Sequence, residues 1–174
     1  MSDHVPLYNS ETLLCRLREQ GHAFSLFHHV PVFTVEEAEQ VSADIPGLHT
    51  RNLFLRDKKE RMFLITLRHD TPIDLKKLSN MLGVARFSFG SPDRLWTCLG
   101  VTPGSVTPLS ILNDQSGQVQ LILEDEMMKG DLINMHPLIN SMSISLSPQV
   151  LMTILQNHAI TARVMDLKEA APDL

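Results

Sequence analysis

Proline-led helix starts recur along the chain and restrict it to a fold in which helices alternate with extended segments. Ser91-Pro92 and Ser147-Pro148 each offer a hydroxyl at the N-cap and a proline in the first helical turn, where its missing N–H does no harm. We predict a third start of this kind at Thr71-Pro72. Further helices are predicted over residues 10–20 and after Thr34, which opens a capping-box sequence.

Strand-like segments occupy the sequence between these helices. Residues 52–55 and 62–67 are apolar runs on either side of a charged stretch, so they predict a β-hairpin. Residues 105–112 and 118–123 flank a second polar stretch and predict another hairpin. Shorter strands are expected at residues 23–29, 132–135, 142–146 and 161–165. Helices interspersed with hairpins predict a single α/β domain over residues 1–174, with a mixed, mostly antiparallel sheet and helices packed around it.

The composition excludes several classes of protein. Hydrophobic residues make up 43% of the 174 residues and charged residues 20%, which is typical of a globular domain and not of a disordered chain. The densest apolar run, residues 62–67, is far shorter than the roughly 18 residues that a membrane span requires. No secretory leader is expected, and Cys15 and Cys98 have no CxxC partner. We therefore expect a cytoplasmic protein without membrane association, disulfide framework or cysteine zinc site.

Basic side chains are concentrated in one part of an otherwise acidic chain. The formal net charge is −5, from 15 lysines and arginines against 20 acidic residues. Residues 51–77 nevertheless contain eight of the basic side chains and only four acidic ones. This cluster has two interpretations: a solvated hairpin tip and helix face, or a local surface for an anionic ligand.

Two further segments are candidates for a site. Gly104 lies in a loop rich in glycine and proline, where the amides of Ser105, Val106 and Thr107 would face one oxygen as a backbone nest. His136 precedes a proline, which extends the backbone and predicts a position at a strand end facing a cleft. Each segment also has a simple structural interpretation, as a helix–strand connection and as a structural histidine.

The eight histidines do not predict a metal site. His28 and His29 are adjacent on a predicted strand, so they point to opposite faces and do not reach one ion together. His4, His22, His69 and His158 have no partner at ligand spacing. The chain also lacks a phosphate loop and the signatures of serine hydrolases and zinc proteases. No metal or cofactor is expected.

Taken in order, the unusual segments resemble a known family. They are Arg51-Asn52-Leu53 with the charged hairpin after it, residues 67–71, residues 83–89, the loop at residues 100–108, and His136-Pro137-Leu138-Ile139-Asn140. The series resembles the freestanding prolyl-tRNA editing domains of the YbaK/ProRS-insertion superfamily, most closely the bacterial Ala-tRNA(Pro) deacylases. The resemblance covers residues 10–166 and implies the α/β editing-domain fold.

The resemblance implies a trans-editing hydrolase that cleaves the ester between a wrong amino acid and the terminal adenosine of tRNA. An aminoacyl ester is already activated, so a positioned water and a polarised carbonyl suffice without a strong nucleophile. The family's reaction is attributed to water and the ribose 2′-hydroxyl, without a cofactor. The expected substrate is Ala-tRNA(Pro). Alternatives are Cys-tRNA(Pro) or another small-amino-acid tRNA, and a non-catalytic module that binds tRNA or a nucleotide.

The same resemblance assigns roles to residues. The catalytic group comprises Arg51, Asn52, Gly104, Ser105 and His136. The substrate pocket is expected to be formed by Leu53, Phe87, Phe89, Val106, Thr107, Pro108 and Met135. The tRNA is expected to contact Arg56, Lys58, Lys59 and Arg61. For the apolar pocket residues, plain core packing is an equally simple interpretation.

One position departs from the family pattern. These deacylases usually carry lysine before Asn-Leu, whereas this chain has Arg51. Arginine keeps the positive charge and grips phosphate or ribose oxygens as a fork, but it stays protonated and does not act as a base. The partners implied by the resemblance are the acceptor end of mischarged tRNA(Pro) and, transiently, prolyl-tRNA synthetase.

Overall fold

The centre of the fold is the long strand β2 (Leu48–Arg56), which forms an antiparallel hairpin with β3 (Met62–Arg68). The structure, a computed structural model, describes residues 3–173, apart from the side chain of Val35. The charged residues 57–61 form the tip of the hairpin. The predicted first hairpin is therefore confirmed, although β2 begins four residues earlier than its apolar run indicates.

Six more strands complete one mixed sheet. They are β1 (Ser25–His28), β4 (Ser88–Phe89), β5 (Val119–Glu124), β6 (Ile133–Met135), β7 (Met142–Leu146) and β8 (Ala162–Met165). The order across the sheet is β1-β7-β6-β2-β3-β5-β8, and β4 pairs with β2. Three pairs are parallel, namely β2–β6, β3–β5 and β5–β8, and the other four are antiparallel. The predicted mixed, mostly antiparallel sheet is confirmed.

Within residues 3–173, six α-helices pack around the sheet. They are α1 (Ser10–Glu19), α2 (Val35–Ser42), α3 (Leu75–Met81), α4 (Pro92–Leu99), α5 (Asp125–Met128) and α6 (Pro148–Asn157). The hydroxyls of Ser91 and Ser147 cap α4 and α6 as predicted, each accepting a hydrogen bond from a first-turn amide. Thr34 and Glu37 form the predicted capping box of α2.

Two sequence-based expectations are wrong. The N-cap of α3 is Asp74, not Thr71, because the Thr71 hydroxyl donates to the Glu124 carboxylate at 2.7 Å instead. Residues 105–112 do not form a strand, since Pro108–Asn113 is a buried 3-10 helix that begins at the Thr107 N-cap. The second hairpin is therefore absent, and β5 pairs in parallel with β3.

Separate hydrophobic clusters cover the two faces of the sheet. Phe54 and Leu64 pack on one face with residues of α1, α4 and α6. Leu55 and Phe63 pack on the other face with residues of α3 and with Phe87. Side chains alternate along a strand, so Asn52 shares the face of Phe54, and Leu53 shares the face of Leu55. In residues 3–173 no helix is both long and apolar enough to cross a membrane.

A buried carboxylate organises the tip of the β2–β3 hairpin. Asp57 is 3% exposed, and one of its oxygens accepts hydrogen bonds from the amides of Lys59 and Arg61, both at 2.9 Å. Its other oxygen pairs with the Arg61 guanidinium at 2.6 Å. Burial alone would raise the pKa of Asp57, but the bonds from Arg61 and Lys59 outweigh burial and lower it below 3.8.

Replacing Asp57 should destabilise the protein. The Asp57→Ala variant leaves two amides at the tip without their acceptor, so we expect the free energy of unfolding to fall by about 1–3 kcal/mol. Urea denaturation measures this, and Asp70→Ala is the control, because Asp70 is an exposed partner of Arg68. The contribution of Asp57 is present above its unfolded pKa and is lost as the pH falls through its lower folded pKa. Equal stability of the two variants would contradict the assignment.

Candidate active site

A cleft of about 530 Å³ opens where strands β2 and β6 part. The two strands pair only at their beginnings, where Leu48 and His49 of β2 face Ile133 and Asn134 of β6. Just beyond that point, the Thr50 hydroxyl donates to the Asn134 carbonyl at 2.7 Å, where the ladder of backbone hydrogen bonds ends. The volume of the cleft is in the range of sites that bind small molecules.

Most of the lining of the cleft comes from four parts of the chain, and His69 and Ser143 complete it. Arg51 and Asn52 of β2 line one side, and Met135 and His136 at the end of β6 line the other. Residues 38–43, at the end of α2, and the segment that begins at His29 close the remaining sides. Four of the predicted site residues therefore meet in one cleft.

The Asn52 amide is held from both ends. Its oxygen accepts a hydrogen bond from the Thr66 hydroxyl at 2.6 Å, and its nitrogen donates to the Val106 carbonyl at 2.9 Å. A carbonyl only accepts, so these partners allow one orientation of the amide. The second N–H of the amide has no acceptor among the residues that the structure describes.

The loop around Gly104 lies beside the loop that follows His136. Gly104 has a φ of 90°, and a Cβ built there would lie 3.6 Å from the Asn140 amide nitrogen. That nitrogen donates to the Val32 carbonyl at 3.2 Å, which joins the loop after His136 to the segment after His29. The Ser105 amide closes the turn onto the Thr102 carbonyl at 3.0 Å, so it is engaged in the turn itself.

The Arg51 guanidinium is anchored at one end only. Its Nη2 donates to the Thr71 carbonyl at 2.5 Å. Its Nε–H is buried and has no acceptor within residues 3–173. The side chain therefore brings a fixed positive charge to the β2 side of the cleft.

His136 is held as a hydrogen-bond acceptor. Its Nδ1 lies 2.8 Å from the Met142 carbonyl. Since a carbonyl does not donate, Nδ1 carries the proton, and Nε2 of the neutral ring is an acceptor. Burial lowers the pKa of His136 below 6.5, the neighbouring His29 lowers it further, and the hydrogen bond to Met142 opposes the shift.

The sequence analysis did not assign His29, His49, His69 or Ser143 to the site, although all four line the cleft. His29 places Nε2 2.8 Å from the Ser143 hydroxyl, and its ring centroid lies 6.1 Å from that of His136. The rings of His49 and His69 lie 6.0 Å apart, and burial, then His69, lowers the pKa of His49. The residues of each pair are far apart in the sequence, so no short motif predicts that they are neighbours in the fold.

Several predicted site residues lie elsewhere. Leu53 and Phe87 pack on the opposite face of the sheet, where Phe87 contacts Phe63 edge to face. Phe89 lies on β4 and is 63% exposed. Thr107 and Pro108 are buried at the start of the 3-10 helix. Among residues 3–173, no three metal-ligating side chains come together.

The predicted basic surface lies at the hairpin tip and is partly neutralised. Arg56 pairs with Glu60 at 2.5 Å, and Arg61 pairs with Asp57. Lys58 and Lys59 are exposed and have no ion pair within the described part of the chain. The two lysines are therefore the free cations of the tip.

Comparison with known proteins identifies the family. The aminoacyl-tRNA editing domain matches residues 29–154. The chain is 32% identical over 158 residues to the prolyl-tRNA editing protein ProX of Acetoanaerobium sticklandii. The aligned region covers 90% of this chain and 96% of ProX. The chain is also 38% identical over 139 residues to prolyl-tRNA synthetase associated domain-containing protein 1 of Danio rerio, covering 79% of this chain and 76% of that protein.

A solved structure has the same fold. The crystal structure of a candidate trans-editing enzyme for prolyl-tRNA synthetase matches with a TM-score of 0.68, over 92% of this chain and 97% of that one, at 17% identity. The extent of the family match, together with the identity to ProX over most of both chains, leads to one conclusion. The chain belongs to the aminoacyl-tRNA editing domain family.

Proposed function

We propose that the protein is a trans-editing deacylase that hydrolyses mischarged tRNA(Pro), with Ala-tRNA(Pro) as its substrate. The observation that carries the proposal is that Asn52 and His136 line one cleft, with Asn52 bonded to the carbonyl of Val106 in the Gly104 loop, in a member of the editing-domain family. The name of ProX, a prolyl-tRNA editing protein, supports tRNA(Pro). We place the reaction in the cytoplasm, assign residues 1–174 to one editing domain, and include a transient contact with prolyl-tRNA synthetase.

The β2 side of the cleft polarises the ester carbonyl. Negative charge develops on the carbonyl oxygen as water attacks, so fixed donors and positive charge near that oxygen lower the barrier. The second N–H of Asn52 is a donor whose direction is set before substrate binds. Gly104 has no side chain, so the backbone of its loop approaches the aminoacyl group closely. The Arg51 charge stabilises the oxyanion or the adjacent ribose and phosphate oxygens.

The opposite side of the cleft orients the attacking water. Nε2 of neutral His136 accepts a hydrogen bond from the water, whose oxygen attacks the carbonyl carbon. The ester C–O bond then breaks, and the proton from water passes by way of the vicinal 2′-hydroxyl to the departing 3′-oxygen. The products are free alanine and uncharged tRNA. No group of this chain forms a covalent bond to the substrate.

The choice of alanine comes from the resemblance of the ordered motifs and not from the size of the cleft. A volume of about 530 Å³ is larger than an alanyl group, so the cleft holds the aminoacyl group together with part of the terminal nucleoside. Met135 is the apolar wall beside His136. Lys58 and Lys59 lie at the hairpin tip beyond the end of β2, six and seven residues after Asn52 and roughly 20 Å away, where they contact phosphates of the acceptor stem.

A deacylation assay tests the proposed activity. We expect purified protein to release the amino acid from labelled Ala-tRNA(Pro) faster than from Cys-tRNA(Pro) or Ser-tRNA(Pro), and to leave Pro-tRNA(Pro) intact. Faster hydrolysis of Cys-tRNA(Pro) than of Ala-tRNA(Pro) would show that Cys-tRNA(Pro) is the substrate. Binding of tRNA without ester loss above the buffer rate on all three mischarged tRNAs would identify a non-catalytic binding module.

Variants of Arg51 and His136 test two separate roles, the positive charge of Arg51 and the hydrogen-bond acceptor that His136 offers to water. Arg51→Lys keeps the positive charge, so kcat/KM should stay within about threefold of wild type, whereas Arg51→Ala should lower it by about tenfold or more. His136→Ala removes the acceptor for water, so kcat should fall by about a hundredfold while tRNA binding changes little. Single-turnover deacylation measures both. His22→Ala is the control, since His22 lies outside the cleft, and an equal loss in that variant would contradict the assignment.

The pH profile should report the protonation of His136. Its folded pKa lies below 6.5, so the acceptor is available at neutral pH and is lost as the pH falls through that pKa. We expect kcat/KM to decline on the acid side below pH 6.5 and this limb to be absent in His136→Gln. Stability follows the same direction, since the unfolded chain binds this proton more readily and folding weakens below pH 6.5. If kcat/KM of the His136→Gln variant still declined below pH 6.5, the decline would be due to the protonation of another group.

A further inference from the structure

One wall of the cleft presents hydrogen-bond acceptors without spare donors. The Nδ1 atom of His29 lies 2.8 Å from the Val30 carbonyl, so it carries the proton of the neutral ring. Nε2 is then an acceptor, and the Ser143 hydroxyl, 2.8 Å away, donates its hydrogen to it. The Ser143 oxygen therefore has only lone pairs left to offer a ligand.

His136 extends the same wall. Its ring centroid lies 6.1 Å from that of His29, and its Nδ1 donates to the Met142 carbonyl. Nε2 of the neutral ring is again an acceptor, and burial lowers the pKa of this ring, which keeps it neutral at pH 7. Ser143 thus offers an acceptor to the ligand beside the acceptor that His136 offers to water, and the hydrogen on each is already used by the protein.

Opposite sides of the cleft carry charges of opposite sign. The β2 side carries Arg51, and the α2 side carries Glu39, whose carboxylate is the acidic group among the described residues that line the cleft. An acceptor-only wall repels carboxylate and phosphate oxygens, which are themselves acceptors. A group with several N–H donors and a positive charge complements both the acceptors and the carboxylate.

We propose that the Ser143 hydroxyl oxygen binds the free α-ammonium group of the aminoacyl ester, so that the site selects esters with an unblocked amino group. Nε2 of His136, beside it, holds the attacking water. The inference rests on the proposed function for the identity of the ester. His29 acts as a positioning residue, because it fixes the direction of the Ser143 hydroxyl and does not touch the ligand itself. Esters of N-acylated or peptidyl chains lack the charge and two of the three donors, and the cleft excludes them.

A binding experiment tests this selection independently of hydrolysis. The probes are 3′-alanylamino-3′-deoxyadenosine, whose amide resists cleavage, and its N-acetyl derivative. Calorimetry on the wild-type protein should show binding of the free amine that is about tenfold or more tighter than binding of the acetylated form. Ser143→Ala should reduce that preference by weakening only the free amine, and Ser143→Thr, which keeps the hydroxyl, should restore it.

Ser145→Ala is the matched control. Ser145 lies two residues further along β7 and does not line the cleft itself; its hydroxyl bonds to the Pro46 carbonyl and to the side-chain oxygen of Asn134. This variant should keep the full preference for the free amine. Equal binding of the two probes by wild type, or an equal loss of preference in the Ser143→Ala and Ser145→Ala variants, would overturn the inference.

Hydrolysis of Ala-tRNA(Pro) and N-acetyl-Ala-tRNA(Pro) separates this inference from the proposed function. Faster cleavage of the free-amine substrate supports both. Cleavage of both substrates at one rate overturns the ammonium site and leaves the deacylase in place. A preference in binding with no cleavage of either tRNA supports the ammonium site and overturns the deacylase.

Discussion

The parting of β2 from β6 is the constraint on which the rest of the site depends. One edge of β2 is paired with β3 along most of its length, but the other edge meets β6 only at its start and β4 only at Leu55 and Arg56. Among residues 3–173, no strand neighbours the middle of that edge, and the cleft lies there. Thr50 makes the separation possible, because its hydroxyl satisfies a carbonyl at the end of the ladder.

Helix caps were predictable from the sequence where no residue distant in the chain competes for the capping side chain. Ser91, Ser147 and Thr34 cap their helices through bonds within four residues. Thr71 carries the same signal, but Glu124, 53 residues away, takes its hydroxyl. Thr107-Pro108 also begins a helix, but the sequence analysis predicted a strand there. The reason is that a short apolar run fits a strand and a helix equally well.

The site was predictable to the extent that its residues belong to ordered motifs. Arg51, Asn52, Met135 and His136 line one cleft, as their motifs indicate. Leu53 does not, since its side chain packs against the hydrophobic cluster of Leu55 and Phe63 on the opposite face of the sheet. The bond between His29 and Ser143 joins residues 114 positions apart, and only the β1–β7 side of the sheet brings them together.

The link from Asn52 to the Gly104 loop ends on a main-chain atom. The Asn52 amide bonds to the carbonyl of Val106, and the Val106 side chain plays no part in that bond. Every residue type has such a carbonyl, so substitutions at position 106 can accumulate while the link persists. The path of the loop is more restricted, because a shift of its backbone would break the bond that orients Asn52. Substitution at position 106 is therefore compatible with this bond, whereas insertions or deletions in the loop are not.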